Sequence, residues 1–231
     1  MKLLIIIPAY NEEENIVAVI EELKSAYPQY DYVIVNDGSL DKTSHICKEQ
    51  GYNLISLPLN LGLSGAFRSG MKFAYRNGYD CALQFDADGQ HDPQYIEAML
   101  HQMEESGADI VIGSRYVQDK KTFSLRAAGN SVIDAFIAVT TGTRLTDSTS
   151  GFRLYSRRII RFYAQYMNYD PEPDTIAYLI RCGAKVEEVQ VSMRKRMAGH
   201  SYFHFTSIAK YMTRVCASIL FMQWFRRKEN L

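Results

Sequence analysis

Two aspartates one residue apart, Asp86 and Asp88, directly follow the apolar run 81–85. Such a short apolar run before turn residues is typical of a buried strand. Mg²⁺ in proteins is commonly held by one or two carboxylates together with the phosphates of a substrate. The acid pair therefore indicates a metal–diphosphate site, and a plain turn remains the alternative because Asp and Gly also end strands in turns.

The next residues predict where this acidic loop ends. Asp92 and Pro93 are residue types preferred at the N-cap and the first position of a helix, and apolar residues recur after them at helical spacing. The acids thus belong to a strand-to-helix loop. In open α/β sheets, ligands bind outside the carboxyl ends of the strands.

Apolar runs alternate with amphipathic segments through the first half of the chain. This rhythm predicts an α/β fold with a mostly parallel sheet flanked by helices. Asn11 before three glutamates resembles a capping box, so the first helix is expected to begin at Glu12. Strands are predicted at 2–8, 32–36, 53–57, 82–86, 109–113, 151–156 and 186–191, and helices at 12–26, 41–50, 64–77, 93–106, 125–140, 157–166 and 174–182.

Three of the strand-end loops are expected to meet at one edge of this sheet. They contain Tyr10, Asp37 and the pair Asp86 and Asp88. A base can stack on the tyrosine, a lone carboxylate can accept a hydrogen bond from a base or ribose, and the acid pair can hold a cation against phosphates. The combination favours a nucleotide diphosphate as ligand, although each loop alone is also explained by a turn or a cap.

Composition narrows the class of protein. With 26 basic and 26 acidic side chains among 231 residues, the formal net charge is zero, so no nucleic-acid partner is expected. The spacing of the four cysteines is typical of neither a metal site nor a disulfide framework, so we expect them to be core thiols in a reducing compartment. The apolar start of the chain stops at Pro8, which favours a first strand over a signal sequence. No stretch reaches the roughly 20 apolar residues of a spanning helix.

Four ordered motifs resemble those of family-2 glycosyltransferases with the GT-A fold. They are PAYNEE at 8–13, VNDGS at 35–39, NLG at 60–62 and DADGQH at 86–91. Within that family the chain is similar to the branch of dolichol-phosphate mannose synthases and bacterial polyprenyl-phosphate sugar synthases. The resemblance covers about residues 3–202 and includes GSRY at 113–116, TSGFR at 149–153 and RMAGHS at 196–201. It implies a Rossmann-like GT-A domain over residues 1–205.

The resemblance also implies roles for individual residues. It makes Asp88 and Gln90 ligands of Mg²⁺ or Mn²⁺ and puts Asp86 at the metal or nearer the sugar. It places three arginines at an acceptor phosphate, Arg115, Arg126 and Arg196, a role that suits guanidinium forks because they match phosphate oxygens. The nucleotide pocket is expected to be lined by Pro8, Ala9, Tyr10, Glu12 and Asp37.

The implied reaction is an inverting transfer of a hexose from a UDP-sugar, such as UDP-N-acetylglucosamine or UDP-glucose, to undecaprenyl or dolichyl phosphate. A phosphomonoester already carries about −1.5 to −2 charge near neutrality and needs little help from a base. One alternative is extension of a lipid-linked glycan at a sugar hydroxyl, with Glu172 or Asp174 as base; both acids also suit helix caps. A non-catalytic nucleotide-sugar-binding scaffold is the other.

The C-terminal segment, residues 206–231, predicts an amphipathic helix that carries an apolar side and a basic end. Such a helix suits a membrane interface, and packing on the enzyme's own core or on a membrane-embedded partner subunit is the alternative. Because a polyprenyl acceptor is embedded in the bilayer, the protein is expected to be cytoplasmic and peripheral, on the inner face of the membrane.

Overall fold

A single sheet forms the centre of the protein. The computed structural model of the chain describes residues 1–119, 125–166, 169–195, 205–222, 225, 226 and 231. Within them, seven strands pair in the order β3-β2-β1-β4-β6-β5-β7. The strands are β1 (Leu3–Ala9), β2 (Asp31–Asn36), β3 (Leu54–Ser56), β4 (Cys81–Gln84), β5 (Ile110–Ser114), β6 (Arg153–Ser156) and β7 (Val186–Gln190).

All strands run parallel except β6, which is antiparallel to both of its neighbours, β4 and β5. The predicted mostly parallel sheet is confirmed. Because β6 is reversed, its first residue, Arg153, pairs with Gln84 near the end of β4 and with Ile112 of β5. The loop before β6 therefore joins the loops after the parallel strands at one edge.

Helices cover both faces of the sheet. Along β1, Leu4 and Ile6 face one hydrophobic core and Ile5 and Ile7 face the other, as the alternation of side chains in a strand requires. One face carries α1 (Ile16–Ala26), α2 (Thr43–Glu49) and α4 (Ile96–Ser106); the other carries α3 (Gly62–Arg76), α5 (Leu125–Thr141), α6 (Arg157–Gln165), α7 (Pro173–Arg181) and α8 (Phe205–Ala217).

The first helix starts later than the sequence predicts. It begins at Ile16, and the expected capping box, with Asn11 as N-cap and Glu14 at the third helical position, is wrong. Asn11 has φ = 56° and is used in a contact between loops. Its Oδ1 accepts a hydrogen bond from the Leu40 N–H (2.8 Å), and its own N–H donates to Ser39 Oγ (3.0 Å). Tertiary hydrogen bonds thus replace the local cap.

The C-terminal helix α8 packs on the protein's own core. Val215 and Ile219, in α8 and the π-helical turn after it, are at most 1% exposed. Arg214 donates to the Glu172 carboxylate at 2.8 Å. The sequence left open whether this helix packs on the core, on a membrane or on a partner, and the described residues pack on the core. Within the same residues, no helix is long and apolar enough to cross a membrane.

Helix α3 lies very close to β1 at Gly70. A Cβ placed on Gly70 would lie 2.3 Å from Cγ2 of Ile6, which is fully buried in the centre of the sheet. Only a residue without a side chain fits at this crossing, because core atoms are already closely packed.

We expect Gly70→Ala to lower the free energy of unfolding by about 1–3 kcal/mol, since overpacking outweighs the better helix propensity of alanine. Ile6→Ala alone should cost about 2–5 kcal/mol by leaving a cavity. Combined, the two changes should cost less than their sum, because each relieves the other. Urea unfolding of the four proteins measures this coupling, and Tyr75→Ala, on the exposed side of α3, serves as the additive control. Additive losses for Gly70 and Ile6 would contradict the predicted contact.

Candidate active site

The residues predicted to bind a nucleotide lie at the adjacent ends of β1 and β2. Pro8 and Ala9 pair in register with Val35 and Asn36. The Asp37 N–H donates to the Ala9 carbonyl at 2.9 Å, which holds the two loops side by side. The structure therefore places the predicted pocket residues Pro8 and Ala9 next to Asp37, and the predicted residues Tyr10 and Glu12 follow them in the same loop.

Within this group, Asp37 is buried and braces a neighbouring turn. It is 3% exposed, and its Oδ1 accepts a hydrogen bond from the Leu61 N–H at 2.8 Å. Burial raises the pKa of the Asp37 carboxyl above its ordinary value, although the backbone N–H groups of Leu61 and Gly62 oppose that shift. This carboxylate thus joins the loop after β2 to the NLG turn. Tyr10 and Glu12 are half-buried.

The acidic loop follows β4, the other neighbour of β1. Asp88 is buried and its Oδ1 accepts from the Gln90 N–H at 3.0 Å, whereas the Asp86 side chain is 36% exposed. The Gln90 carbonyl accepts from the Arg194 N–H at 2.9 Å, so the segment after β7 runs along this loop. Gly89 at φ = 76° makes the turn possible.

The oxygen atoms of Asp86, Asp88 and Gln90 suit a hard cation such as Mg²⁺ or Mn²⁺. In the described part of the chain, no group of three His, Cys, Asp or Glu could hold a metal by itself. Two carboxylates are nevertheless enough for a cation whose other ligands are substrate phosphates and water. The residues therefore fit a metal that binds together with a diphosphate.

Arg115 lies directly after β5 and is clamped by a residue that sequence reasoning missed. Its Nε and Nη2 donate to the two oxygens of Asp147 at 2.7 and 2.8 Å, and its backbone N–H donates to the same carboxylate. Asp147 is fully buried, and hydrogen bonding to it raises the pKa of Arg115 further. This bidentate pair fixes the direction of the guanidinium.

The loop that carries Asp147 is itself held by two carboxylates, the half-buried Glu188 and the buried Asp134. Glu188 accepts hydrogen bonds from the N–H groups of Thr146 and Asp147 at 2.7 and 2.9 Å, and burial raises the pKa of Glu188. Asp134 of α5 accepts from both the N–H and the hydroxyl of Ser148. The TSGFR motif at 149–153 was a signal in the sequence, but Asp147 lies before it, and Asp134 and Glu188 are distant in sequence.

Arg153 connects this loop to another one. It is 1% exposed, and its Nη2 and Nη1 donate to the carbonyls of Ser148 (2.7 Å) and Pro171 (2.9 Å). Glu172 follows directly and accepts from Arg214, and burial raises the pKa of Glu172 against the lowering effect of Arg214. The predicted base is thus engaged in an ion pair at the start of α7.

Two of the predicted phosphate ligands cannot be located. Arg196 and the side chain of Arg126 lie outside the described residues. Arg194, two positions before Arg196, pairs with Glu22 and Asp92 at 2.8 and 2.9 Å. Of the three predicted phosphate ligands, Arg115 is therefore the one whose surroundings the structure describes.

The family model of Glycosyl transferase family 2 matches residues 4–163 of this chain. The chain belongs to glycosyl transferase family 2. The resemblance seen in its motifs is confirmed, and the matched segment contains both the residues predicted to line a nucleotide pocket and the acidic loop.

Named proteins similar to this family-2 chain act on polyprenyl phosphates. The undecaprenyl-phosphate mannosyltransferase of Micrococcus luteus is 29% identical over 87% of each chain. The polyprenol monophosphomannose synthase of Mycolicibacterium smegmatis is 28% identical over 92% of this chain and 84% of its own. The UDP-N-acetylglucosamine–dolichyl-phosphate N-acetylglucosaminyltransferase of Methanococcus voltae is 33% identical over 71% of this chain and 72% of its own.

Solved structures confirm the GT-A fold class of this family-2 chain. The glucosyl-3-phosphoglycerate synthase of Mycobacterium tuberculosis, in complex with Mn²⁺, UDP-glucose and phosphoglyceric acid, superposes with a TM-score of 0.71. The match covers 98% of this chain and 81% of the other at 14% identity, so it establishes the fold alone.

In this glycosyltransferase, Asp37→Asn should separate folding from ligand binding. Because burial raises the pKa of Asp37, the carboxyl group favours the folded state when it is protonated. This contribution to stability is fully present below the ordinary pKa of about 3.9 and is lost as the pH rises through the raised pKa. The amide keeps an oxygen for the Leu61 N–H and carries no charge. We therefore expect the variant to match or exceed wild-type stability at pH 7, with the smallest difference near pH 4.

Urea unfolding at both pH values measures this effect, and Asp80→Asn on the surface is the matched control. If Asp37→Asn is less stable than wild type at pH 7 but not at pH 4, the buried charge is favourable and the prediction is wrong. Nucleotide affinity, measured in parallel, should fall.

Proposed function

We propose that this protein transfers a hexose from a nucleotide sugar to a polyprenyl phosphate, with inversion at the anomeric carbon. The observation that carries the proposal is the shared sheet edge, at which the oxygen-donor loop 86–90 and the clamped guanidinium of Arg115 both lie. The names of the family-2 relatives, which refer to undecaprenyl and dolichyl phosphates, support the acceptor class.

On the donor side, Tyr10 stacks on the base, Asp37 accepts from it or from the ribose, and Pro8, Ala9 and Glu12 complete the pocket. Asp86, Asp88 and Gln90 hold Mg²⁺ or Mn²⁺. When bound, that cation stabilises the charge that develops on the leaving diphosphate. The Mn²⁺ and UDP in the complexes of the structural neighbour support such a site.

In the reaction, an acceptor phosphate oxygen forms a bond to the anomeric carbon. The bond from that carbon to the diphosphate oxygen breaks, and the nucleoside diphosphate leaves with the electron pair. The acceptor carries about −1.5 to −2 charge near neutrality, so repulsion between the two phosphates is the main obstacle rather than proton removal. Holding both in line is therefore the task of the protein.

Arg115 serves the acceptor phosphate in this proposal, together with Arg126 and Arg196. Since Asp147 engages Nε and Nη2 and offsets much of the positive charge, Arg115 binds through directed N–H groups at Nη1 rather than through a strong net field. A guanidinium that is already fixed loses little conformational freedom when it binds the phosphate.

The donor in this proposal is a UDP-hexose such as UDP-N-acetylglucosamine or UDP-glucose. The relatives carry different sugars in their names, including mannose, N-acetylglucosamine and 4-deoxy-4-formamido-L-arabinose. The sugar is therefore the variable part of this group. UDP is the nucleotide named both in the Methanococcus voltae relative and in the structural neighbour.

Access to a lipid acceptor requires contact with the membrane, and we place the protein peripherally on the inner face. Phe221 and Phe225 at the end of the C-terminal segment are 64% and 87% exposed, and Val132 and Val139 of α5 are 45% and 81% exposed. Helices α5 and α8 contact each other. A membrane-embedded partner subunit is an alternative occupant of these surfaces.

The test supplies the purified protein and Mn²⁺ or Mg²⁺ with vesicles that contain undecaprenyl or dolichyl phosphate. UDP-glucose, UDP-N-acetylglucosamine and GDP-mannose serve as donors. We expect nucleotide release and a labelled lipid whose sugar is freed by mild acid. Asp88→Ala should lower transfer by at least about 100-fold, because the charge on the leaving group loses its cation. Asp80→Ala, an exposed aspartate, is the matched control.

Unchanged transfer by Asp88→Ala would remove the metal role of that residue. Absence of transfer by the wild type with every donor would favour a binding scaffold without catalysis.

Glu172→Gln separates a phosphate acceptor from a hydroxyl acceptor. The pairing of Glu172 with Arg214 favours a structural role, so we expect transfer to polyprenyl phosphate to remain close to wild type. A catalytic base would instead account for about 10²–10⁴-fold in rate. Initial rates measure the difference, and Glu187→Gln, which loses a surface pair with Lys185, is the control. A large loss only in Glu172→Gln, with an acid-stable product, would support glycan extension.

A further inference from the structure

His91 closes the acidic loop in a way that the motif did not reveal. It is 4% exposed, and its Nδ1 accepts a hydrogen bond from the Asp86 N–H at 2.9 Å. Its Nε2 lies 3.5 Å from Oδ2 of the same aspartate. One imidazole therefore contacts both the backbone and the carboxylate of Asp86.

Two aromatic rings fix the orientation of this imidazole. It stacks on Phe152, with ring centroids 4.6 Å apart and an angle of 17° between the planes. Phe85 meets it edge-on at 5.5 Å and 77°. Because Phe85 precedes the loop and Phe152 precedes β6, the imidazole is held between two neighbouring strands and cannot turn without disturbing both.

Asp86 and His91 are the two ends of the loop that carries Asp88 and Gln90. Their hydrogen bond joins these ends, so the oxygen atoms between them belong to a closed turn. A backbone N–H that loses its acceptor and is not fully open to water is unfavourable, so opening of this turn is disfavoured. Removing the acceptor on His91 would therefore change the positions of the acids themselves.

The tautomer follows from the same contact. Because Nδ1 accepts the Asp86 N–H, the ring hydrogen of the neutral imidazole is on Nε2, which faces the Asp86 carboxylate. The distance of 3.5 Å exceeds that of a good hydrogen bond, about 2.7–3.2 Å. The contact orients the Asp86 carboxylate electrostatically and leaves its oxygen atoms available to another ligand.

We propose that His91 is a positioning residue, which holds the acidic loop closed and presets Asp86 for a divalent cation. This inference rests on the proposed function only in taking Asp86 and Asp88 as the cation site. Partners that orient a metal-binding side chain typically affect metal affinity by about 10–100-fold. His91 acts through Asp86 and does not touch the substrate.

Two substitutions distinguish this role from simple filling of the core. His91→Phe keeps a flat ring against Phe152 but has no acceptor for the Asp86 N–H. His91→Asn places an oxygen where Nδ1 was and loses the ring. A purely structural role predicts that the phenylalanine variant is the better one, whereas positioning predicts the opposite. His101→Phe, at an exposed histidine of α4, is the control.

The experiment measures Mn²⁺ binding by electron paramagnetic resonance, in the presence of UDP and, separately, of GDP. We expect His91→Phe to weaken Mn²⁺ binding about 10–100-fold and His91→Asn to recover most of that loss. The Mn²⁺ concentration that gives half-maximal sugar transfer should rise in parallel. Wild-type affinity in His91→Phe, or equal losses in both folded variants, would overturn the proposal.

A measurement on the wild type keeps the proposal testable if the variants do not fold. In ¹⁵N NMR of the labelled protein, the His91 ring should show the Nε2–H tautomer with a hydrogen-bonded Nδ1. An Nδ1–H tautomer would overturn it. If the wild type itself binds no Mn²⁺ with either nucleotide, the metal site of the proposed function fails, and that result is distinct from normal binding in His91→Phe.

Discussion

A guanidinium buried at the functional edge of the sheet constrains the loops around it. Arg153 carries its charge into an interior position at the start of the reversed strand, and a buried charge is tolerated only where polar partners receive it. Its partners are main-chain carbonyls of two different loops, at Ser148 and Pro171. Moving either loop would break one of these two hydrogen bonds to the buried charge, so Arg153 ties both loops to the sheet.

The same requirement extends outward from Arg153 to the site. In the loop at 146–148, backbone N–H groups donate to the half-buried Glu188 of β7 and the buried Asp134 of α5, and the Ser148 carbonyl accepts from Arg153. Because the loop is held on both sides, the Asp147 carboxylate is fixed in the orientation that pairs with Arg115. A chain of buried polar contacts thus sets the direction of an otherwise long and adaptable side chain, which is the kind of preorganisation that binding of an anion needs.

Prediction from the sequence succeeded where the pattern is local. The strand predicted at 2–8 is observed at Leu3–Ala9. The helix predicted at 93–106 appears as a 3₁₀ turn followed by α4, and the side chain of Asp92 caps it by accepting a hydrogen bond from the Gln94 N–H. It failed at the start of α1, because Asn11 and its neighbours bond to the loop after β2. It also left Asp134, Asp147 and Glu188 without a role, because nothing in their local spacing shows that they surround one loop.

The order of apolar and polar residues by itself determined the α/β class, the strand-end placement of the acids and the family, since periodicity and short motifs act over a few residues. Tertiary structure alone decided that β6 runs antiparallel between β4 and β5, that α8 packs on the core, and that Arg115 is held by Asp147. These outcomes depend on hydrogen bonds and packing between residues far apart in the chain, and such contacts exist only after the sheet has formed.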